Sequence, residues 1–449
     1  MLLIGATAMS ETLTIEQAQQ LAQANYPIIK RYNLITQTTN YNISNLSKGW
    51  LPQLGIGAQV TYQNPVSHWS DDINNIIDQD KIKVTGEVKE GDDPSVVPSD
   101  IDLSGVRVEL PEPNVKGVNK LQYRVGAELN QTVWEGGVIK NQKEVARLQG
   151  ETQQAQIDVD LYGLRQRVAD LYFGILQLDE QLKLCNELIT LLEDNQRKLE
   201  TLQNGGLATG GDVASIKAET LKSKQQRTQL INSRRSFERV LNVFMGRDEF
   251  TPLSLIKPDD QLVSSDTYRP ELRLLDKQLS LTYAQERLLK SSLMPRITAF
   301  AQGFYGYTGF DLMHDMMHHQ ASINGLVGIK LQWAIGNLYT YKNDKARLSL
   351  LRNDIEAQRE TFLFNTRLQN VQENEFVTGF RQLMADDDEI IDLRVTSRKA
   401  AESKLNHGII DINNLLQEIS KENQARITKC QHELEMLQHN YKLKIIHNL

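Results

Sequence analysis

Long apolar runs are missing from this 449-residue chain. No stretch approaches the ~20 consecutive apolar residues that a membrane-crossing helix requires, so an internal helical span is excluded. Basic clusters are missing as well. The chain has 50 Lys and Arg against 57 Asp and Glu, with no Lys/Arg-rich block, and nucleic acid is therefore not an expected partner. Only two cysteines occur, which excludes a disulfide framework. Cys185 and Cys430 leave two alternatives, a single bridge in an oxidising compartment or two helix-packed thiols, and free thiols are the expected state. Hydrophobic residues make up 40% and aromatics 6%, lean for several compact cores at this length. Proline is absent between Pro113 and Pro252 and after Pro295. An interior proline costs a helix about 3 kcal/mol, so these two tracts are open to very long helices. There is no phosphate loop, no nucleophile elbow and no Cys/His spacing suited to zinc. Neither enzyme activity nor a cofactor is expected.

What the chain does contain, it contains twice. Val125-Gly126-Ala127-Glu128-Leu129 is echoed by Val327-Gly328-Ile329-Lys330-Leu331, and Asn204 to Val213 by Asn406 to Leu415. Both echoes share one displacement, from 125 to 327 and from 206 to 408. Pro52 and Pro295, each opening an alternating segment, lie further apart. One insertion between Pro52 and Val125 accounts for the difference, and a supersecondary block used twice is the simplest reading. The first copy is assigned to 11–246 and the second to 268–449, joined by a linker at 247–267. The apolar run Leu2 to Met9, ending in Ala6-Thr7-Ala8, reads either as the back half of a secretory signal or as an ordinary terminus; 1–10 is assigned to a signal remnant.

Two periods alternate along each copy. Ile157, Leu161, Leu164, Val168, Leu171, Ile175, Leu178 and Leu182 are spaced four and three apart, the seam of a coiled-coil-like helix. Helices are expected at about 137–203 and 212–245, with Asp212 as the N-cap of the second, and again at about 338–405 and 409–446. Shorter helices are expected at about 14–48 and 270–292. Between them the period changes to two. Leu54, Ile56, Ala58, Val60 and Tyr62 share one face, with Gln53, Gly55, Gly57, Gln59 and Thr61 on the other. Strands are expected at about 51–64, 120–134, 296–309 and 322–335. The third is irregular, because Phe300 and Phe304 fall on the face expected to be polar.

A soluble sheet would give this alternation, and so would a transmembrane β-barrel with its apolar face in lipid. Four strands cannot close a barrel alone, and open edges in lipid leave backbone groups unpaired. Closure therefore calls for several copies. Three would give a 12-stranded trimeric transmembrane β-barrel, with the helical seams meeting the same need for neighbours in a long α-helical tube. The fold class expected is an α+β membrane protein of that form.

The motifs, in order, resemble the TolC-type outer-membrane efflux protein family of Gram-negative bacteria. Leu13-Thr14-Ile15-Glu16-Gln17-Ala18 with Ala22 to Pro27 is similar to that family's first helix. Trp50-Leu51-Pro52 and Leu293-Met294-Pro295 resemble its approaches to the first and third strands. Leu129 to Gly137 resembles its strand exit into the long helix, and Gly206-Leu207-Ala208-Thr209 with Asp212-Val213 its helical-tip turn. The likeness runs from residue 11 to near the end. It implies a homotrimeric channel in the outer membrane with a helical tunnel in the periplasm, serving as the exit duct of a tripartite efflux or type I secretion system. The partners implied are a periplasmic adaptor (membrane fusion protein), an inner-membrane pump and outer-membrane lipid. By position, adaptor docking falls to tip turns holding Gly206, Leu207, Ala208 and Asp212, and Gly408, Ile409 and Ile410. Acidic residues after the second tip line the periplasmic gate in well-known members; the matching positions here, Asn414 and Gln417, are uncharged, and Asp411 or Glu418 could serve in a shifted register.

Three further clusters stand apart from that likeness. Met313-His314-Asp315-Met316-Met317-His318-His319 falls in the second strand-to-strand loop, and His314, His318 and His319 could hold Cu or Zn, although a hydrated loop with no metal is the commoner meaning. The first loop carries twelve Asp and Glu between Asp71 and Glu112 against five Lys and Arg from Lys81 to Lys116, the composition of a hydrated or cation-attracting surface. Asp386-Asp387-Asp388-Glu389 reads as a solvated acidic helix face. The reading in competition with a conduit is a structural or adhesive secreted coiled-coil protein without transport activity. The two differ in what covers the apolar side of the strands: lipid in the first, a partner sheet in the second.

Overall fold

The computed structural model describes residues 12–64, 83–85, 107–109, 118–206, 208–260 and 269–448. The expected signal remnant at 1–10, Leu207 and most of the acidic first loop lie outside the described residues. The elements run β1 (Thr12–Leu13), α1 (Ile15–Asn25), α2 (Ile29–Ser47), β2 (Gln53–Tyr62), β3 (Lys83–Thr85), β4 (Arg107–Glu109), β5 (Leu121–Trp134), α3 (Val138–Asn204) and α4 (Gly210–Met245). There follow β6 (Ser254–Leu255), α5 (Pro270–Ser291), β7 (Arg296–Tyr307), α6 (Leu312–His318), β8 (Ser322–Gln332), α7 (Asn337–Asn406) and α8 (Ile412–Ile446). The first short helix, expected as one piece, is two. Pro27 has no N–H to continue α1, so the chain turns at Tyr26, which is extended at φ −64°, ψ 127°.

Packing divides the chain into two compact units that cut across the duplication. One, Asn45–Ile139 with Lys290–Tyr339, holds the sheet; the other holds the long helices.

In the sheet unit the order is β2-β5-β7-β8, every pair antiparallel. Leu54 pairs with Leu129, Leu129 with Ala301 and Ala301 with Val327, so a single apolar face runs across all four strands. Among the described residues β2 and β8 each have one neighbour, and the sheet ends in two open edges. β3 and β4 form a separate two-stranded ribbon inside the long β2–β5 connection, with Lys83 opposite Glu109. Strand β5 passes into α3 through Gly136 and Gly137, at φ +69° and +85°. A Cβ on Gly136 would lie 2.3 Å from that of Met294, so both conformation and space require glycine there. Glu135 then accepts hydrogen bonds from the N–H groups of Val138 (2.6 Å) and Ile139 (3.2 Å), covering the orphan donors of the helix start.

In the helical unit, Ile157, Leu164, Val168 and Ile175 of the expected seam are almost fully buried. Leu164, Val168 and Ile175 share a core with Tyr162, Tyr172 and Phe173, which the seam did not include, and with Leu241 and Met245 of α4 and Leu437 and Tyr441 of α8. Burying each such aliphatic side chain contributes about 1.5–3 kcal/mol. Tyr172 ties the linker down: its hydroxyl donates towards the carbonyls of Leu13 and Ile256 at 2.7 Å and receives the Ile256 N–H at 3.0 Å. Leu13 ends β1 and Ile256 follows β6, the two strands of a parallel pair.

Candidate functional site

The two helical turns are built alike. α3 ends at Gly205-Gly206 and α7 at His407-Gly408, with Gly206 at φ +75° and Gly408 at φ +67°. Past Gly408 the Ile409 N–H reaches the Lys404 carbonyl at 2.9 Å, the wrapped ending that a left-handed glycine allows. Nothing lies within 4 Å of where a Cβ on Gly206 or Gly408 would stand, so both turns present open surface. Beneath them Leu192 and Leu199 of α3, Ile216 of α4, Ala401 of α7 and Ile412, Leu415 and Ile419 of α8 form one core. The four helices therefore end together. Ala208 and Ile410 pack against that core, whereas Ile409 is 70% exposed.

The start of α4 differs from expectation. Its N-cap is Thr209, three residues before Asp212: the Thr209 hydroxyl accepts the Asp212 N–H at 3.2 Å, and Asp212 returns a bond to the Thr209 N–H at 2.8 Å. This is a capping box, with the helix beginning at Gly210. At the corresponding place in the second turn the cap is Asp411, whose carboxylate accepts the Asn414 N–H at 3.0 Å and the Asn414 side-chain amide at 2.9 Å. Asp411 and Asn414 are thus joined to each other in a cap. Gln417 is exposed. Glu418 is half-buried and paired with Lys421 at 2.6 Å.

Behind the second turn lies a charged cluster that sequence reading missed. Arg398 of α7 donates to Glu422 of α8 at 2.5 Å and to Glu402 at 2.6 Å, Arg426 donates to Glu422 at 3.0 Å, and the Asn195 amide of α3 reaches Glu402 at 3.4 Å. Glu422 is buried and Arg398 largely so. Burial works against the guanidinium charge, but the bonds to Glu422 and Glu402 outweigh it and hold the Arg398 proton more tightly than usual. The signal available in the sequence was the i, i+4 pairs Arg398/Glu402 and Glu422/Arg426; their junction across helices was not. Further along the same pair of helices the acidic run at 386–389 is not uniformly solvated. Asp387 is buried and meets His432 at 2.8 Å, while Asp388 pairs with Lys429.

The sheet has two chemically distinct faces. On one stand Ile56, 81% exposed, and Ile323, 87% exposed, with Val60, Val125, Val327 and Ile329, and no second sheet covers them among the described residues. On the other, Arg124 donates to Gln59 at 2.6 Å and Asn130 to Glu128 at 2.9 Å. Phe300 and Phe304 belong to this polar face, and the register explains why. Phe304 stands opposite Gly126 and Phe300 opposite Gly328. The Phe300 ring covers Gly328, 2.9 Å from where a Cβ would stand, and a Cβ on Gly126 would come within 2.5 Å of Phe304 Cβ. The Arg124 guanidinium lies 5.9 Å from the Phe304 ring centre.

In the β7–β8 connection His314 and His318 lie one helical turn apart on α6 with stacked rings, 4.3 Å between centres. His319 caps that helix in the left-handed conformation and turns its ring edge-on to Tyr307. No group of three or more His, Cys, Asp or Glu side chains gathers into a metal-holding set among the described residues. Both cysteines are free. Burial raises the Cys185 thiol, and burial followed by the Glu180 charge pushes Cys430 up to about 11.

No family model and no curated protein sequence matches the chain. Solved structures do. The chain superposes on the outer membrane protein VceC from Vibrio cholerae with a TM-score of 0.64 at 11% identity, covering 96% of this chain and 95% of that one. With CusC, described for its transmembrane channel formation, the TM-score is 0.66 at 12% identity over 98% of this chain and 92% of that one. The outer-membrane channel OprN gives 0.64 at 12% identity over 96% and 89%. The chain has the fold of these outer-membrane channels.

Proposed function

We propose that this protein is a passive outer-membrane exit duct, a homotrimer that carries cargo out through a β-barrel continued by a periplasmic tube of helices. The observation that carries the reading is the sheet with one uncovered apolar face and two unpaired edges. In water such a face would be covered, and in lipid such edges would be paired. Three copies bring the four strands of each sheet to twelve, and pairing β8 of one copy with β2 of the next removes every edge. The helices have a matching need. Phe364, Leu368, Val371, Phe376, Leu383 and Ile390 of α7 are exposed at helical spacings, a stripe that a neighbouring copy's helix would cover. The channel fold shared with VceC and OprN supports the same reading.

The remaining assignments follow from it. The two tip turns, with Ile409 exposed, are the docking surface for a periplasmic adaptor, which links the duct to an inner-membrane pump. The 11–246 and 268–449 copies give the trimer a pseudo-sixfold tube, with 247–267 as its equatorial linker. Asp411 and Asn414 cap α8 and, with Gln417 and Glu418, stand where the gate would be. The barrel interior is the polar face of the sheet, carrying Arg124, Glu128 and Lys330. The test is conductance: protein extracted from outer membranes and added to planar lipid bilayers is expected to give discrete, long-lived steps. Protein recovered in the soluble periplasm without detergent, with no bilayer activity, would favour a secreted coiled-coil protein instead.

A further inference from the structure

We infer that the barrel interior is an anion filter: Arg296 and Lys330, with Arg124, line the lumen as uncompensated cations, so the duct passes small anionic solutes in preference to cations. The inference rests on the conduit reading and adds to it the charge class of the cargo.

The register of the sheet carries it. Strands β2, β5, β7 and β8 hold four charged residues, Arg124, Glu128, Arg296 and Lys330, and all four fall on the polar face. Three are cations, so three copies would bring nine cations against three carboxylates. No cation stands directly opposite the carboxylate. Arg124 pairs in register with Gln59 and Gly306, Arg296 with Gln332 and Lys330 with Thr298, while Glu128 lies between Gly55 and Gln302. The bonds they make are to neutral groups: Arg124 donates to Gln59 at 2.6 Å, Arg296 to Thr132 at 3.3 Å, and Glu128 accepts from the Asn130 amide at 2.9 Å. Among the described residues none of the three cations has an ion-pair partner.

Two of the cations are placed together. Thr132, Thr298 and Lys330 form one cross-strand row, and Arg296 stands two residues along β7 from Thr298, diagonal to Lys330. Diagonal neighbours on one face lie about 7–8 Å apart, within reach of long side chains, and like charges so placed repel. A passing oxyanion relieves that repulsion, accepting from the guanidinium, the ammonium and the threonine hydroxyls. Both residues are exposed, so solute can reach them. The row lies at the end of the sheet where β5 leads on to α3, and the acidic first loop joins the opposite ends of β2 and β5. In a trimer the two cations of each chain close into a ring, the arrangement by which pores with Arg and Lys linings select anions. The low-dielectric wall of a barrel in lipid focuses their field into the lumen.

The experiment is the reversal potential of the full-length protein in planar lipid bilayers under a KCl gradient, kept near about 0.1 M on the dilute side, where screening extends over about 10 Å. The expected result is a chloride-to-potassium permeability ratio above unity. Arg296→Gln/Lys330→Gln should lower that ratio at least about twofold and Arg124→Gln should lower it less, whereas Glu128→Gln should raise it. The opposite sign at Glu128 separates a charge effect from damage to the barrel, and discrete steps in each variant show that the channel still assembles. A wild-type channel that prefers potassium, or a ratio unmoved in the double variant, would overturn the inference and leave the conduit reading standing. Absence of steps from the wild-type protein would overturn the conduit reading itself, and the filter with it.

Discussion

The two tip turns solve one problem with different side chains. In the first, the cap is a hydroxyl at Thr209 and the carboxylate stands three residues on, at Asp212; in the second, the carboxylate is the cap itself, Asp411, and an amide follows at Asn414. Each turn satisfies the first N–H groups of the helix that leaves it, and each keeps one acid. The acid stands at the third helical position in the first turn and at the cap itself in the second, because a cap needs only one acceptor at the cap residue. What sets the turns apart lies behind them: the buried pair Arg398–Glu422, with the part-exposed Arg426, joins α7 to α8 behind the second turn, and a 3.4 Å contact of Asn195 with Glu402 links it to α3.

The largest expected effect comes from breaking that asymmetry. Glu422→Ala removes one of the two carboxylates bonded to the largely buried Arg398 and leaves Glu402, so a loss of about 1.5–3 kcal/mol is expected, read as a drop in thermal or denaturant midpoint. Glu422→Gln should lose less, since it keeps an acceptor. A surface pair such as Lys222–Glu219 on the first-turn side should show almost nothing when cut. Equal effects from the two cuts would remove the asymmetry.

The caps come next. Asp411→Ala and Thr209→Ala should each cost about 1 kcal/mol. Giving the first turn the chemistry of the second, by Thr209→Asp with Asp212→Asn, should be neutral within about 0.5 kcal/mol. A loss of more than about 1 kcal/mol in the double variant would show that the two turns are not interchangeable. Gly206→Ala and Gly408→Ala should each cost about 1 kcal/mol from the left-handed backbone alone, because neither meets a neighbour. Gly136→Ala, which adds the Met294 clash to the same strain, should cost distinctly more.

The smallest effect is in the cysteines, one in each half. Burial disfavours the thiolate of both, and Cys430 is pushed up to about 11. An unfolded thiol ionises near ~8.5, so between that pH and about 11 the unfolded chain binds fewer protons than the folded one, and stability falls as pH rises. Below about pH 8 no dependence from this source is expected. Maleimide labelling at neutral pH should be slow in the folded protein and fast after denaturation; rapid labelling of Cys430 in the folded protein would contradict its burial.

Much of the fold was legible because its signals are local. Proline-free tracts, a period of 3.6 or 2, and glycines after α3, α4 and α7 are all read from neighbouring residues, and α3, α7 and the four strands lie close to where those signals place them. The misreadings share a different cause. Phe300 and Phe304 looked misplaced because the glycines they stand opposite, Gly328 and Gly126, sit on other strands. Asp387 looked solvated because nothing near it in sequence predicts that His432 stands opposite. Tyr172 and Phe173 fell outside the seam because the core around α3 is wider than a two-helix contact, taking in α1, α4 and α8. The cap at Thr209 was displaced to Asp212 because both residues of a capping box have side chains that can cap, and only the Gly210 backbone shows which of them does.

The central claim is that the open edges β2 and β8 are closed by copies of the same chain. Native mass spectrometry of the detergent-extracted protein tests it directly: the account predicts a single species of three chains of 51.1 kDa each, and a monomer or dimer that persists in mild detergent would contradict it.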